Sequence, residues 1–350
     1  MSYLSSQNVQ AETIQLELDS QFVNCPTPLE NIAALEAIIN TQQASGIAQS
    51  VSDGSGKVKT IKVTHEQRAL ESAVTSETAA RVCTTTNQTF DNYTTYSIDP
   101  LYHETYGEKF SIDELATMNS TFPAFLAKKI AKVVDVIERK VATKSAQELV
   151  ALYGKWDSAV GSSYTVSSDK LTVSTFITAA GKQIDYTALS TIDIALMMTG
   201  YCAPAIIVGG TTLYAYGKHI GAGCCSTTGV NIMEMANSFG KAILYDPRVS
   251  TALGSVNESL VFQAGSVALI HYNKYNPADA VNASPNYSQF KVNSPRTGLP
   301  IDIVINDTCG VISIVGYANT KVVGLPSDMF ATGDTKNGVV FVNKILLANS

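Results

Sequence analysis

The alternation of apolar and polar residues predicts one long amphipathic helix near the middle of the chain, over 122–153. Its apolar residues recur at spacings of three and four, which places them on one face of a helix. They are Phe122, Phe125, Leu126, Ile130, Val133, Val134, Ile137, Val141, Leu149 and Val150. Pro123 suits the first turn, and Gly154 ends the pattern. At 1.5 Å per residue this helix would be a rod of about 45 Å.

The opposite face of this helix is basic. It carries Lys128, Lys129, Lys132, Arg139, Lys140 and Lys144. A run of charge on one helix face is most often a solvated surface. The alternative is a face turned toward a polyanion, and the sequence leaves both interpretations open.

The chain before the long helix predicts an arm and a β-ribbon. The alternating residues 13–18 predict a strand that adds to a neighbouring sheet, and 27–45 predict a helix with Thr27 as its cap and Pro28 in its first turn. Ile32, Leu35, Ile38 and Ile39 share one face of that helix, and 51–56 read as a flexible joint. Beyond it, 57–98 alternate and predict a two-stranded antiparallel ribbon. An isolated hairpin is marginal in water, so the ribbon must lie on the rest of the chain or on a neighbouring copy.

The second half predicts an α/β layer with a buried central sheet. A capping box at 111–114 opens a short helix to about 118, 155–170 are loop-like, and 187–198 predict a helix with Leu189, Ile192, Leu196 and Met197 inward. The apolar run 205–209 is typical of a strand covered on both faces, and a helix follows from 211 or 212 to 219. Further strands are predicted over 170–177, 241–246, 259–262, 266–272, 301–305, 311–315, 321–325 and 339–346. Between them, 221–236 are Gly-rich, and 273–298 predict a long surface loop or ribbon that contacts a partner.

Charge is scarce along this chain. Charged residues make up 15% of the 350 residues, below the roughly 25% of an ordinary soluble domain. Interface centres are depleted in charge, so this composition favours a protein that buries much of its exterior against other copies. The net charge of −6, and the absence of Lys and Arg before Lys57, argue against a basic arm that packages nucleic acid.

The sequence predicts no catalytic, cofactor-binding or metal-binding residue and no cofactor. The histidines at 65, 103, 219 and 271 stand alone, and the cysteines at 25, 83, 202, 224, 225 and 309 form no C-x-x-C pair. The corner Asp246-Pro247-Arg248 and the pair Asp302 and Asp307 could hold a metal, but acidic residues at strand ends are more often turn caps. The first ten residues lack the features of a signal peptide, and no run reaches the roughly eighteen apolar residues of a membrane span. We therefore expect synthesis in a reducing cytoplasm.

Three stretches carry a resemblance to a known family. They are 204–212 (PAIIVGGTT), 240–246 (GKAILYD) followed by 260–267 (LVFQAGSV), and 298–303 (GLPIDI). Together with the order of arm, ribbon, long helix and α/β layer, they resemble the major capsid proteins of tailed bacteriophages. The resemblance implies an α+β Hong Kong 97-type capsid fold with an N-terminal arm, an extended β-hairpin loop, a long spine helix, a peripheral domain, and an axial domain with a central sheet.

The resemblance also implies domain boundaries. They are 1–56 for the arm with helix 27–45, 57–110 for the extended loop, 111–155 for the peripheral domain with spine helix 122–153, 156–265 for the axial domain, 266–310 for a peripheral ribbon and loop, and 311–350 for return strands to the axial domain. The implied function is assembly as hexamers and pentamers into the icosahedral shell around the double-stranded DNA of a tailed phage.

The implied partners are other copies of the chain. A separate scaffolding protein, portal and decoration proteins are further partners of the family; DNA would be contacted non-specifically at most, and no membrane is involved. The expected location is the virion capsid, assembled in the cytoplasm of a bacterial host. The alternatives are an encapsulin-type compartment shell, a soluble α/β enzyme with a site in 209–229, and a helically assembling tube or sheath protein of a virion.

Overall fold

The computed structural model describes the chain in separate ranges, and all structural statements below concern these residues. They are 14–16, 18–19, 31–41, 49–52, 59–65, 92–98, 104–117, 122–178, 181–183, 186–201, 204–209, 241–272, 287–325, 336 and 339–349. The predicted helix 211–219 and the Gly-rich residues 221–236 lie outside them. The described residues form helices and three β-sheets, so the predicted mixture of helix and sheet is confirmed.

Six helices are bounded in the described residues. They are α1 Ala33–Thr41, α2 Ile112–Thr117, α3 Phe122–Ala151, α4 Ser158–Ser163, α5 Tyr186–Thr199 and α6 Pro247–Leu253. The strands are β1 Gln49–Ser52, β2 Lys59–His65, β3 Asn92–Ile98, β4 Glu104–Ser111, β5 Val166–Ser167, β6 Lys170–Thr178, β7 Gly181–Gln183, β8 Ala205–Gly209, β9 Lys241–Tyr245, β10 Glu258–Gln263, β11 Val267–Tyr272, β12 Tyr287–Asn293, β13 Pro300–Thr308, β14 Val311–Gly324 and β15 Val342–Asn349.

The predicted long helix is confirmed as α3, with its predicted apolar stripe facing the core. Every stripe residue from Phe122 to Leu149 is buried, and Val150 is half-buried. The helix ends at Ala151, two residues before the predicted end. A 3₁₀-type turn follows the helix, in which the Leu152 amide donates to the Leu149 carbonyl at 3.1 Å. The Gly154 amide then donates to the Val342 carbonyl at 2.9 Å, which ties the end of α3 to β15.

Helix α3 packs on a five-stranded antiparallel sheet. The strand order is β11-β14-β13-β12, and β4 pairs with β14. The predicted strands 311–315 and 321–325 are one continuous strand, β14, which pairs with β4 and β13 in its first part and with β11 in its last. Gly316 of β14 lies directly beneath the helix: a Cβ there would stand 2.6 Å from side-chain atoms of both Val133 and Ile137. The helix and sheet are therefore in close contact at this point.

The second large sheet has seven strands and is covered on both faces, as the sequence predicted. Its order is β5-β6-β15-β10-β8-β9, with β7 paired to β6. All five residues of β8 are buried. Ile206 and Val208 pack in the hydrophobic cluster that includes α3 and α1, while Ala205 and Ile207 pack in a second cluster with residues of α4 and α5. Side chains of one strand thus reach two cores, which is why β8 is apolar throughout.

Helix α5 confirms the predicted helix 187–198 but corrects its inward face. Ile192 and Leu196 are buried as predicted, whereas Met197 is 72% exposed. Ala195 and Thr199 are buried instead, and the Thr199 hydroxyl donates to the Ala195 carbonyl at 2.8 Å. The inward face therefore follows 192, 195, 196 and 199, a helical spacing that excludes 197.

The predicted strand at 13–18 is wrong. Residues 14–16 and 18–19 are helical, with Ile14 and Leu18 buried and Leu16 71% exposed. Apolar residues at 14, 16 and 18 fit the alternation of a strand, but 14 and 18 also have the i, i+4 spacing of a helix. The main hydrophobic core contains that pair.

Helix α1 begins later than predicted. Asn31 and Ile32 are not helical, so the predicted continuous helix 27–45 is wrong at these two residues, and α1 begins at Ala33. Its predicted cap Thr27 lies outside the described residues. The Asn31 side-chain oxygen accepts from the Ala33 amide at 2.9 Å. The predicted inward face is confirmed, because Ile32, Leu35 and Ile38 are fully buried.

The predicted ribbon is confirmed in its paired strands. β2 and β3 are antiparallel, in register from Lys59 opposite Ile98 to His65 opposite Asn92. The sequence missed β1, which pairs with β2 where the joint 51–56 was predicted to begin. One loop prediction is wrong, because 155–170 contain the short helix α4, capped by Asp157. Within 273–298, predicted as a loop or ribbon, the described residues include β12.

Candidate assembly surfaces

One buried carboxylate caps two helices and joins the N-terminal segment to the body. Asp246 precedes Pro247 at the start of α6, and its Oδ1 accepts from the Arg248 amide at 3.0 Å. Its Oδ2 accepts from the Ala34 amide in the first turn of α1, also at 3.0 Å. Asp246 has no exposed surface, and burial raises the pKa of its carboxyl while the two amide hydrogen bonds oppose that rise. The turn-cap interpretation of the 246–248 corner is thus confirmed.

A second buried carboxylate joins α3 to the turn between β12 and β13. Glu138 is 2% exposed, and its Oε1 accepts from the Thr297 hydroxyl. Burial raises the pKa of Glu138, and hydrogen bonds from Ser294 and Thr297 partly offset this. In the same turn, Arg296 forms an ion pair with Glu36 of α1 at 2.7 Å. The turn therefore connects both helices through polar contacts.

The N-terminal segment makes a third attachment, at the end of β12. The Gln15 side-chain amide donates from Nε2 to the Asn293 carbonyl at 3.0 Å, and its Oε1 accepts from the Asn293 amide at 3.1 Å. Together with the buried side chains of Ile14 and Leu18, these two hydrogen bonds attach the N-terminal segment to the body of the subunit. The described arm residues before β1 are therefore attached to the body of the subunit.

The basic face of α3 makes several contacts within the chain. Lys132 pairs with Glu108 of β4 at 2.6 Å, and Arg139 pairs with Asp135 at 3.0 Å. Lys144 donates to the Thr320 carbonyl at 2.7 Å. Lys129 lies over the ring of Phe125, 5.5 Å from its centroid. These contacts fit a solvated, internally paired face better than a surface reserved for a polyanion.

The pair on β4 and α3 is reinforced by a tyrosine. The Tyr106 hydroxyl donates to Glu108 at 2.5 Å. Hydrogen bonds from Lys132 and Tyr106 lower the pKa of Glu108, and its carboxylate in turn raises the pKa of Lys132. The pair is partly exposed and screened by solvent, so its contribution to stability is small.

The other candidate positions form no chemical site among the described residues. Asp307 caps the turn before β14, where its Oδ1 accepts from the Gly310 amide at 3.2 Å. Cys309 is exposed in that turn, and His65 and His271 lie in β2 and β11. Among the described residues, no group of three or more His, Cys, Asp or Glu side chains is placed to hold a metal ion. None of the helices in these ranges is both long and apolar enough to cross a membrane.

The three-stranded sheet β1-β2-β3 is separate from the two large sheets. It touches the body where β3 contacts β14, so the β3 edge lies nearer the body and the β1 edge lies at the opposite side of that small sheet. Strands in a sheet are about 4.8 Å apart, which places β1 roughly 10 Å beyond β3. This sheet is the element of the described chain best placed to reach another molecule.

Sequence analysis missed three of these contacts. They are the double cap, in which Asp246 accepts from the amides of Ala34 and Arg248, the contact of Glu138 with Thr297, and the Gln15 clamp, in which Gln15 binds both peptide groups of Asn293. An N-cap Asp followed by Pro is a known helix start, and it was the one signal available for α6. Glu138 stands on the apolar stripe between Val134 and Val141, and that interruption could have marked it as buried. No pattern in the sequence pairs Gln15 with Asn293, 278 residues away.

Several solved structures match the chain over most of its length at low sequence identity. The capsid of Myoviridae Phage XM1 matches with a TM-score of 0.41 and 12% identity, covering 88% of this chain and 92% of that chain. A structure of Mycobacterium phage Bobi gives 0.45 and 11%, covering 95% and 98%. The capsid of an empty GTA particle gives 0.45 and 13%, covering 92% and 98%.

These matches belong to the class that the sequence resembles. No family model matches the chain, and no curated protein matches it in sequence. Because the three TM-scores lie below 0.5, the proposed function rests on the features of the chain itself.

Proposed function

We propose that this chain is the major capsid protein of a tailed phage, and that it assembles as hexamers and pentamers into an icosahedral shell around double-stranded DNA. The observation that carries the proposal is the sheet β1-β2-β3, which is separate from the two larger sheets of the body. Three strands are stable on their own only if they have a hydrophobic face to bury, and the strands of this sheet, QSVS, KTIKVTH and NYTTYSI, carry few large apolar residues. A neighbouring copy in a shell would supply a surface that supports them.

The domain roles follow the order of elements. Helix α3 would be the spine of a peripheral domain that includes the five-stranded sheet, and 156–265 would form an axial domain around the seven-stranded sheet. Residues 104–110 pair within the five-stranded sheet, so the extended loop would end before β4 and not at 110. Likewise, β14 pairs within that sheet, so only β15 returns to the axial domain.

The surface chemistry favours assembly over a soluble monomer. Charged residues are few, and exposed apolar side chains include Met197 at 72% and Val256 at 56%. Many modest interfaces per subunit would then add up to a stable shell. The contacts that Lys132, Arg139 and Lys144 make within the chain favour self-association as the main role, with DNA contacted non-specifically at most.

The test compares shell assembly by the full chain and by a variant in which 57–98 are replaced with a flexible linker. We expect the variant to fold, because its two large sheets are intact, and to form no closed particles by electron microscopy. Circular dichroism and a cooperative melting transition serve as the control for folding. Closed particles from the shortened variant would contradict the inter-subunit role of the ribbon.

The contents of native particles separate two kinds of shell. Double-stranded DNA that is protected from nuclease is the result expected for a phage capsid. An encapsulin-type compartment would enclose a protein cargo instead. The measurement is nuclease treatment of purified particles followed by extraction and sizing of the protected nucleic acid.

A further inference from the structure

Strand β12 forms an outer edge of the five-stranded sheet. This strand pairs with β13 on one side, and within the described ranges no strand pairs with its other side. A strand edge presents peptide N–H and C=O groups that can pair with another chain. The open edge is therefore a possible binding surface, defined by backbone groups and not by an apolar patch.

The Gln15 clamp shows which residues of β12 point outward. Both peptide groups of Asn293 bind Gln15 and so face away from β13. In an antiparallel ladder the residues that face outward alternate, so Gln289 and Lys291 present their peptide groups on the same side. An amide side chain carries a donor and an acceptor like a peptide group, and Gln15 therefore occupies one position of a ladder that could continue.

Little in β12 protects this edge from pairing. Its sequence, YSQFKVN, contains one charge and no proline, and its register with β13 runs without a bulge from Tyr287 opposite Asn306 to Asn293 opposite Pro300. Exposed edges are usually blunted by charges, proline or bulges. A regular, almost uncharged edge favours a role in binding.

We propose that the open edge of β12 binds strand β1 of a second copy, which extends the five-stranded sheet across the subunit boundary. This inference rests on the proposed function, because it needs neighbouring copies. β1 is the edge of the three-stranded sheet opposite to β3, the strand that contacts the body of its own subunit. Of the four residues of β1, two present their peptide groups away from β2. Two is also the number of outward-facing residues, Gln289 and Lys291, that precede Asn293, the residue bound by Gln15.

Proline at 289 tests the pairing directly. Gln289→Pro removes an outward-facing N–H, while the ladder to β13 uses the inward-facing groups and is kept. We expect this variant to melt like the wild type but to need at least tenfold more protein to assemble. Gln289→Ala is the matched control, because it removes the side chain and keeps the N–H, and it should assemble like the wild type. Normal assembly by Gln289→Pro would overturn the proposal.

Cysteine cross-linking tests the partner and covers the case in which the proline variant does not fold. Single cysteines at 289 or 291 in one tagged copy are combined with single cysteines at 49–52 in a second copy with a different tag. We expect disulfides between the two tags in assembled shells, and none when either new cysteine is absent. Shells without such links, or with links from β12 to 92–98 instead, would refute β1 as the occupant.

The two proposals fail in different ways. A wild-type chain that forms no shells contradicts the proposed function. Wild-type shells that are indifferent to Gln289→Pro and give no cross-link to β1 contradict only the edge pairing.

Discussion

Replacing Asp246 by alanine tests the double cap that joins α1 to α6. The substitution removes both acceptors, Oδ1 for the Arg248 amide and Oδ2 for the Ala34 amide. It also removes the negative charge near Arg248, whose guanidinium lies 4.0 Å from the carboxylate. The N-terminal segment and the start of α6 would then lose a shared attachment.

The expected cost follows from the two hydrogen bonds. Loss of one N-cap side chain costs about 1 kcal/mol, with a range of roughly 0.5–2. Removing both caps leaves two amides unpaired at a site without water, so the free energy of unfolding should fall by about 2–4 kcal/mol. Asp246→Asn keeps the volume and one acceptor oxygen, so about half of this loss is expected.

The assay is urea unfolding of unassembled subunits, followed by the fluorescence of Trp156, the single tryptophan of the chain. Trp156 is buried in the other hydrophobic cluster, so it reports global unfolding. Asp157→Ala is the matched control, because Asp157 is also buried but caps only α4, through the Ala159 amide. A loss for Asp246→Ala that is no larger than the loss for Asp157→Ala would refute the double cap.

Three further predictions concern α3 and the sheet beneath it. Val134→Asp should give insoluble protein, because an unpaired buried charge costs about 3 kcal/mol or more; Lys128→Asp on the exposed face should remain soluble, and a soluble, assembling Val134→Asp would show that the inward face is wrong. Gly316→Ala should lower the free energy of unfolding by about 1–3 kcal/mol through overpacking against α3, whereas Gly161→Ala, with open space around its Cβ, should not destabilise. Because the folded pKa of Glu138 is raised, its contribution is present below the unfolded pKa and lost as pH rises through the folded pKa. Stability of the wild type relative to Glu138→Gln should therefore increase from about pH 8 to about pH 4, and a constant difference would contradict this.

Local periodicity predicted the elements whose environment is simple. The stripe of α3 faces one continuous core, and β8 is covered on both faces, so the spacing of their apolar residues contains enough information. The β2–β3 ribbon was predicted because its alternation extends over whole strands. In these cases sequence pattern and tertiary environment agree.

Prediction failed where a distant residue decides the outcome. α1 begins at Ala33 and not at the predicted position, and an amide of its first turn binds Asp246, 212 residues away. Residues 14–16 and 18–19 are helical, and the i, i+4 pair Ile14 and Leu18 meets the core, although the alternation is equally good for a strand. Met197 was assigned to the inward face because it is apolar, but it is exposed, and the smaller Ala195 is buried on that face instead. Short segments carry too little pattern to decide between such alternatives.

The candidate assembly surface was predicted only in outline. The alternation of 57–98 indicated a ribbon that needs support from outside itself. The third strand β1, the open edge of β12 and the Gln15 clamp depend on pairings between distant segments, and no local pattern encodes them. Every residue type except proline presents the same backbone groups at an edge, so composition alone does not reveal which edge is unpaired.

The central claim, that this chain builds a closed shell, is tested most directly by cryo-electron microscopy of the purified chain after assembly. The account predicts closed icosahedral particles, with sixfold and fivefold clusters of subunits in the reconstruction. Helical tubes, or only small discrete oligomers across a range of protein and salt concentrations, would contradict it.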